Sequence, residues 1–189
     1  MSRILAFSGS ARKDSTNQKT VNVMADALET TGAEVTRISL RDYPAPIYDG
    51  DLEADEGQPD GVQRFRALLA DHDGLLIGCP EYNGFMTPLL INTIDWATRS
   101  PEAQPDTSLF RGKSLLIVSS APGSLAGVRA STHLRTMLTG IGCLLCPESF
   151  AVPAGFKAFA DDGTLLDEKL TQRAATIAGS FHEFTQRTH

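Results

Sequence analysis

The stretch Ile-Leu-Ala-Phe-Ser-Gly-Ser at residues 4–10 decides the fold of this chain. Four apolar residues in a row are followed at once by three small residues that allow the chain to turn. Runs of this length with such an ending are typical of strands buried on both faces of a parallel sheet. Two further runs repeat the pattern, residues 75–77 before Gly78-Cys79-Pro80 and residues 115–118 before Ser119-Ser120. The sequence therefore predicts three central strands, each followed by a loop of small or turn-forming residues.

Helical patterns alternate with these strands. Residues 21–28 carry apolar side chains at the spacing of one helix face, and Gly32 then stops the helix. Further helices are predicted at residues 62–69, 89–97, 128–141 and 170–184, with weaker strands at 35–40 and 143–146. Strands that alternate with helices of this size form parallel βαβ units with right-handed crossovers. We therefore expect residues 1–189 to form a single α/β domain, a doubly wound, flavodoxin-like three-layer sandwich with a five-stranded parallel sheet.

The composition excludes several classes of protein. The chain has 189 residues, with 17 Lys or Arg against 23 Asp or Glu, and its net charge of −6 disfavours nucleic acid as a partner. No apolar run approaches the ~18 residues of a membrane-spanning helix, and the N-terminus resembles a strand more than a signal peptide. Three cysteines, an odd number, indicate a reducing compartment and not a disulfide framework. We expect a cytoplasmic protein with no nucleic-acid partner and no membrane partner.

The loop after the first strand has the composition of an anion site. It places short polar side chains and an Arg, whose planar fork suits phosphate oxygens, just before a helix whose free N–H groups favour negative charge. We predict that it binds a terminal phosphate through Ser10, Arg12, Ser15, Thr16 and Asn17. Neither G-x-x-x-x-G-K-[ST] nor G-x-G-x-x-G follows the strand, which argues against a P-loop and a dinucleotide fingerprint. The alternative is an ordinary connection in which Ser15, Thr16 or Asn17 caps the helix.

The segment Pro80-Glu81-Tyr82-Asn83-Gly84 follows the next confident strand. Its proline and glycine fix the backbone shape, so the loop can present main-chain N–H and C=O groups to a flat heteroaromatic ring. The helix that follows carries Asp95 and Trp96, for which we favour packing at an interface over catalysis.

At this point the chain resembles a known family, the NADPH-dependent FMN reductases, which includes reductases of quinones, azo dyes and chromate. Residues 8–17, 45–49, 80–83 and 88–96 are similar to its G-S-x-R-x-x-S-x-N, L-P-x-Y-[DN], P-E-Y-N and P-x-x-L-K-N-x-I-D-W patterns. Shorter similarities extend to residues 161–165, so that the resemblance covers nearly the whole chain. Two departures occur: Ile91 stands where the family commonly has Lys, and Phe85-Met86 replaces a small or polar pair.

The resemblance implies an enzyme with bound FMN. It assigns the phosphate to the loop of residues 10–17, one edge of the isoalloxazine to Pro80, Glu81, Tyr82, Asn83 and Gly84, and the other edge to the loop containing Ser120 and Gly123. NADPH or NADH would pass a hydride to FMN, and the electrons would go on to a quinone, flavin, azo or metal acceptor. Catalytic side chains and metal ligands are not expected. The resemblance further implies a homodimer or homotetramer, with residues 89–99 at the interface.

The remaining patterns are interpreted as structural. Cys143 and Cys146 form a C-x-x-C pair, but they lie in a predicted apolar strand and are expected in the core. Cys79 does not begin a C-x5-R phosphatase loop, because Phe85 stands at the position of the Arg. The four histidines are scattered and suggest no metal site. The acidic run at residues 49–56 is predicted to be solvated, although it could border the site or a partner chain.

Two rival functions remain open. A flavodoxin-type electron carrier would bind FMN without consuming a substrate, and its phosphate loop would read more like T-x-T-G-N-T. A flavin-free binding or regulatory protein would use the same fold without the cofactor.

Overall fold

Residues 2–189 are described by a computed structural model. They form a β-sheet whose two faces are covered by helices. The helices are α1 (Thr16–Thr30), α2 (Gly50–Glu56), α3 (Asp60–Asp71), α4 (Pro88–Ala97), α5 (Val128–Gly140) and α6 (Glu168–Thr188). The strands are β1 (Arg3–Ser8), β2 (Glu34–Arg37), β3 (Gly74–Gly78), β4 (Glu81–Tyr82), β5 (Phe85–Met86), β6 (Ser114–Ser120), β7 (Leu144–Leu145) and β8 (Phe150–Val152).

The main sheet is parallel and has the order β2-β1-β3-β6, with the fifth position shared by two short strands. β7 pairs with the start of β6 and β8 with its end. The predicted five-stranded flavodoxin-like sheet is confirmed, but the prediction missed that its last strand is interrupted. Pro147 lies in the interruption, and proline cannot donate a backbone hydrogen bond to a sheet ladder.

Two cores lie on opposite faces of the sheet, because successive side chains of a strand point to opposite sides. Leu5 and Phe7 pack with apolar side chains of α3, α4 and α5, whereas Ile4 and Ala6 pack with those of α1 and α6. All four side chains are at most 1% exposed. Continuous apolar runs are needed in β1, β3 and β6 because both of their faces are covered.

Most predicted helices are present, with differences at the ends. α1 ends at Thr30, and Gly32 follows with φ of 88°, as the sequence predicted. α6 extends beyond the predicted residues 170–184, because Asp167 accepts the N–H of Lys169 at 2.8 Å and caps an earlier start. The acidic run, predicted as a solvated loop, contains the short helix α2. None of the helices within residues 2–189 is long and apolar enough to span a membrane.

The carboxyl ends of β1, β3 and β6 meet at one edge of the sheet. Ser8 pairs with Gly78, and Gly78 pairs with Val118. The three loops that follow these strands are therefore neighbours. Ligands of open α/β sheets bind at this edge.

Candidate functional site

The loop after β1 leads into the N-terminus of α1, where backbone N–H groups are free. Ser15 is the N-cap residue, and its Oγ accepts the N–H of Gln18 at 3.3 Å. The N–H groups of Thr16 and Asn17, in the first turn, have no intrahelical acceptor, and they point along the positive end of the helix dipole. Both sequence interpretations of Ser15 are compatible, since a hydroxyl that accepts from a cap N–H can still donate its own proton to an anion.

The side chain of Asn17 is engaged inside the chain. Its Oδ1 accepts the N–H of Ser120 at 2.9 Å, and its Nδ2 donates to the carbonyl of Ser120 at 2.8 Å. It is only 6% exposed. The side chain therefore fastens the start of α1 to the end of β6, and what Asn17 retains for a ligand is its backbone N–H.

A buried hydroxyl without a partner lies beside this fastening. Ser120 Oγ has no hydrogen-bond partner among residues 2–189, and Ser120 is 2% exposed. Gly155 lies so close that a Cβ there would collide with Ser120 Oγ and come within 3.2 Å of Thr16 Oγ1. A buried polar atom left unpaired is costly, so the arrangement favours a ligand that supplies the missing bond.

The sequence interpretation missed the segment at Gly155 and Phe156. Gly155 donates its N–H to the carbonyl of Ala121 at 3.0 Å, which places the segment against the loop after β6. The guanidinium carbon of Arg12 lies 6.0 Å from the centre of the Phe156 ring. The available signal was weak: a Pro-Ala-Gly turn after a short apolar run that was not itself predicted as a strand.

The segment Pro80–Gly84 is shaped by a two-stranded hairpin, β4–β5. Tyr82 pairs with Phe85, and the two residues between them, Asn83 and Gly84, have φ of 54° and 80°. Asn-Gly is the preferred pair for such a turn because both residues tolerate left-handed backbone. Tyr82 and Phe85 are 49% and 44% exposed, so the hairpin presents aromatic surface.

The carboxylate of Glu81 is held by α5. It accepts from Arg129 Nη2 at 2.6 Å and Nε at 3.0 Å, and from the N–H of Ala130 at 3.3 Å. α5 begins after Gly127 and has no side-chain cap of its own, so Glu81 neutralises its free N-terminus. The Glu81 side chain therefore anchors the hairpin to α5.

Two further contacts lock the first two loops together. Thr87 donates its hydroxyl to the carbonyl of Gly9 at 2.6 Å while it caps α4 by accepting the N–H of Leu90. A Cβ on Gly9 would lie 2.8 Å from Leu90 Cβ, so only glycine allows this approach. Thr87 and Gly9 therefore hold the loop after β1 against the start of α4.

The loop after β6 is fixed at its two ends by a hydrogen bond, and its middle is exposed to solvent. Ser119 donates to the carbonyl of Ala126 at 2.7 Å, while Gly123 is exposed and has no neighbour within 4 Å of a Cβ position. Ser120 and Gly123, both predicted to approach a flavin, thus differ in setting: the first is buried beside Thr16, and the second lies on the rim.

The Trp96 side chain packs inside the chain, so it cannot itself contact a partner, whereas the predicted interface at residues 89–99 stays a prediction. Trp96 is fully buried, and its Nε1 donates to the carbonyl of Pro46 at 2.8 Å. The acidic run is likewise not fully solvated, because Glu53 is 2% exposed and pairs with Arg99 at 2.8 Å. Tyr48 also donates to Glu53 at 3.0 Å. These contacts hold the segment around Ile47, which is 86% exposed, against α4.

The titratable groups provide no activated thiol. Burial raises the pKa values of Cys79, Cys143 and Cys146 to about 12, so all three are neutral thiols at physiological pH. They are buried and unbridged, as the core prediction required. Burial also raises the pKa of Asp95 on α4. Within residues 2–189 no three His, Cys, Asp or Glu side chains are grouped as a metal site.

Comparisons with known proteins show the family of the chain. The family model for NADPH-dependent FMN reductase matches residues 2–157. An NAD(P)H-dependent FMN reductase of Pseudomonas aeruginosa is 35% identical over 173 residues, covering 88% of this chain and 86% of that protein. A quinone reductase of Escherichia coli strain K12 is 30% identical over 188 residues, covering 98% and 96%. The solved structure of FerB, a flavoenzyme NAD(P)H:(acceptor) oxidoreductase from Paracoccus denitrificans, superposes with a TM-score of 0.83 at 27% identity, covering 100% and 99%.

Proposed function

The chain belongs to the NADPH-dependent FMN reductase family and is an NAD(P)H-dependent flavin oxidoreductase, and from this premise we propose that the edge formed by the loops after β1, β3 and β6 is its FMN site. The observation that carries the proposal is the open start of α1 beside the partnerless hydroxyl of Ser120. Free N–H donors, a helix dipole and an unpaired buried hydroxyl together suit a dianionic phosphate.

The phosphate would be held by Ser10, Arg12, Ser15, Thr16 and the backbone of Asn17. Arg12 is exposed and has no carboxylate partner in the chain from residue 2 to residue 189, so its guanidinium is free to meet an anion. Ser10 Oγ accepts the N–H of Arg12 at 3.3 Å, which leaves the Ser10 proton for the ligand.

The ring would lie against the other two loops. The hairpin fixes the main chain of residues 80–84, whose N–H and C=O groups would meet one edge, and Gly123 leaves room at the other. Bound FMN supplies the chemistry, accepting a hydride from NAD(P)H and delivering electrons to an acceptor. The protein binds and orients both partners, and main-chain donors near the ring would stabilise the negative charge that reduction adds.

We propose a quinone as the acceptor class. Relatives named quinone reductase cover nearly the whole chain, and the exposed rings of Tyr82 and Phe85 suit a flat apolar molecule. Location in the cytoplasm and assembly into homodimers or homotetramers stay predictions of the sequence.

The phosphate assignment is tested by comparing FMN with riboflavin, which differs only in lacking the phosphate. We expect the purified apoprotein to bind FMN at least about 100-fold more tightly, a difference of about 2.7 kcal/mol. Arg12→Ala should weaken FMN binding about tenfold or more and leave riboflavin binding unchanged, because a charge-assisted hydrogen bond contributes about 1.5–3 kcal/mol.

Fluorescence titration measures both affinities. Arg111→Ala is the matched control. Arg111 is an exposed cation just before the amino end of β6, whereas the proposed site lies at the carboxyl end. Equal affinity for FMN and riboflavin, or an Arg12→Ala variant that binds FMN like the wild type, contradicts the assignment.

A further inference from the structure

A basic cavity lies on the β2 side of the phosphate loop. Its volume is about 310 Å³, and four of its eight lining residues are cations: Arg12, Lys13, Arg37 and Arg41. None of the eight is acidic. The chain as a whole carries a net charge of −6, so this concentration of positive charge is local and runs against the overall balance.

Among residues 2–189, only one of these cations has an ionic partner. Arg37 Nη2 contacts Asp26 at 2.7 Å and Glu29 at 2.9 Å, on the flank of α1. Over residues 2–189, no carboxylate lies within ion-pair distance of Arg12, Lys13 or Arg41. Like charges that converge without a counter-charge repel one another, which favours an anion from outside the chain.

The uncharged lining residues add donors of the kind that phosphate accepts. Ser10 Oγ accepts the N–H of Arg12, and Ser39 Oγ accepts the N–H of Arg41, each at 3.3 Å. Because the Ser39 oxygen is already used as an acceptor, its proton is available to donate to a ligand in the cavity, whereas the Ser10 proton is assigned to the FMN phosphate. Cations combined with hydroxyl donors form the chemistry of a phosphate monoester site.

This cavity adjoins the space proposed for the FMN phosphate, and Ser10 and Arg12 line both. Lys13 and Arg41 line the cavity but are not assigned to the FMN phosphate. The FMN side is marked by Ser120 and Gly155, which lie towards β6, whereas Arg37 and Arg41 lie at and just after the end of β2. β1 and β3 lie between β2 and β6 in the sheet. Arg12 belongs to both sides, since it lines the cavity and also lies near the Phe156 ring.

NADPH differs from NADH by a single phosphate monoester on the adenosine ribose, which carries about −1.5 to −2 charges at neutral pH. We propose that the basic cavity receives this 2′-phosphate, and that Lys13 and Arg41 thereby make the enzyme prefer NADPH to NADH. The inference rests on the proposed function, because the cavity adjoins the proposed FMN site and would hold the remote end of the hydride donor. Binding energy from a non-reacting part of a substrate is a standard source of such selectivity.

The kinetic test uses the FMN-loaded enzyme and a double variant, Lys13→Gln with Arg41→Gln. We expect the KM for NADPH to rise about tenfold, a loss within the range of two solvent-exposed charge contacts, with kcat unchanged. The KM for NADH should stay within about twofold of the wild type, since NADH has no group for this cavity. Arg111→Gln, which removes an exposed cation at the opposite end of the sheet, should change neither constant.

The binding test is independent of turnover. Calorimetry of the FMN-loaded protein should show that adenosine 2′,5′-bisphosphate binds about tenfold more tightly than adenosine 5′-monophosphate, and that the double variant loses this difference. A double variant that keeps the wild-type preference for NADPH overturns the inference. So does a double variant that loses FMN, because the cavity would then hold the FMN phosphate. A wild-type enzyme that retains FMN but oxidises neither nucleotide contradicts the proposed function itself, and this inference with it.

Discussion

At the scale of single residues, Ser120 and Gly155 show how the proposed site is shaped by small side chains. Ser120 presents both backbone groups to Asn17 and leaves its hydroxyl free, while Gly155 allows the 153–157 segment to approach without a clash. Neither residue is chemically distinctive in the sequence. Their importance comes from contact between positions that are far apart along the chain.

Gly155→Ala tests this close approach. The added methyl would compete for space with Ser120 Oγ and Thr16, so we expect FMN affinity to fall and the free energy of unfolding to drop by about 1–2 kcal/mol. Urea denaturation and FMN titration measure the two effects.

Gly179→Ala is the matched control for that variant. Gly179 lies inside α6, where an added methyl meets open space, so the change should stabilise the protein by about 0.5–1 kcal/mol and leave FMN affinity unaltered. If Gly155→Ala behaves like Gly179→Ala, the 153–157 segment is not part of the site.

At the scale of elements, side chains of one helix hold the segment that follows the next helix. Arg66 on α3 donates to the carbonyl of Ala97 at the end of α4 at 2.6 Å and pairs with Asp106 at 2.9 Å. Hydrogen bonds from Ser108 and then Arg66 lower the pKa of Asp106 from an ordinary 3.8 to about 2. A pKa lowered by folding means that the ionised carboxylate stabilises the native state.

This coupling predicts a pH dependence. The contribution of Asp106 should be fully present above its unfolded pKa, near 4, and should be lost as the pH falls towards about 2. Asp106→Asn should therefore lower the free energy of unfolding by about 1 kcal/mol at pH 7, allowing for solvent screening, and by progressively less below pH 4. Urea unfolding at several pH values measures the difference. The same deficit at pH 7 and pH 2.5 would show that the carboxylate charge is not the cause.

The elements also show what the sequence could predict. Buried strands such as β1 are visible because both faces are covered, which makes a continuous apolar run. β4–β5 was seen only as a loop, since two-residue strands have no periodicity, and β8 was missed because its three residues pair with β6 through long-range contacts. Trp96 was placed at an interface because an amphipathic pattern does not reveal that the chain's own segment at Pro46 covers it.

For the candidate site, the sequence predicted which loops lie together. It did not predict which side chains in those loops bond to the rest of the chain. Ser10, Arg12 and Ser15 lie between β1 and α1, as predicted, and their binding of a phosphate stays a prediction. The Asn17 and Glu81 side chains, by contrast, are committed to Ser120 and to α5. A motif records which residue types occur together, whereas the choice between contacting a ligand and holding the scaffold depends on partners elsewhere in the chain.

At the scale of the whole molecule, an acidic protein presents positive charge beside one edge of its sheet. The loops after β1, β3 and β6 are fastened to one another by the Thr87–Gly9 and Asn17–Ser120 contacts, which leaves the site preformed. Preformed donors avoid the ordering cost that a mobile loop would add to ligand binding. The central claim is that this edge binds FMN and that NADPH reduces the flavin there.

The absorption spectrum of the purified protein, followed by anaerobic titration with NADPH, tests that claim most directly. We predict the two-band visible spectrum of a bound flavin, released as FMN on denaturation, and bleaching of the long-wavelength band as NADPH is added. A colourless protein that fails to take up added FMN, or bound FMN that stays oxidised in excess NADPH and NADH, would contradict the account.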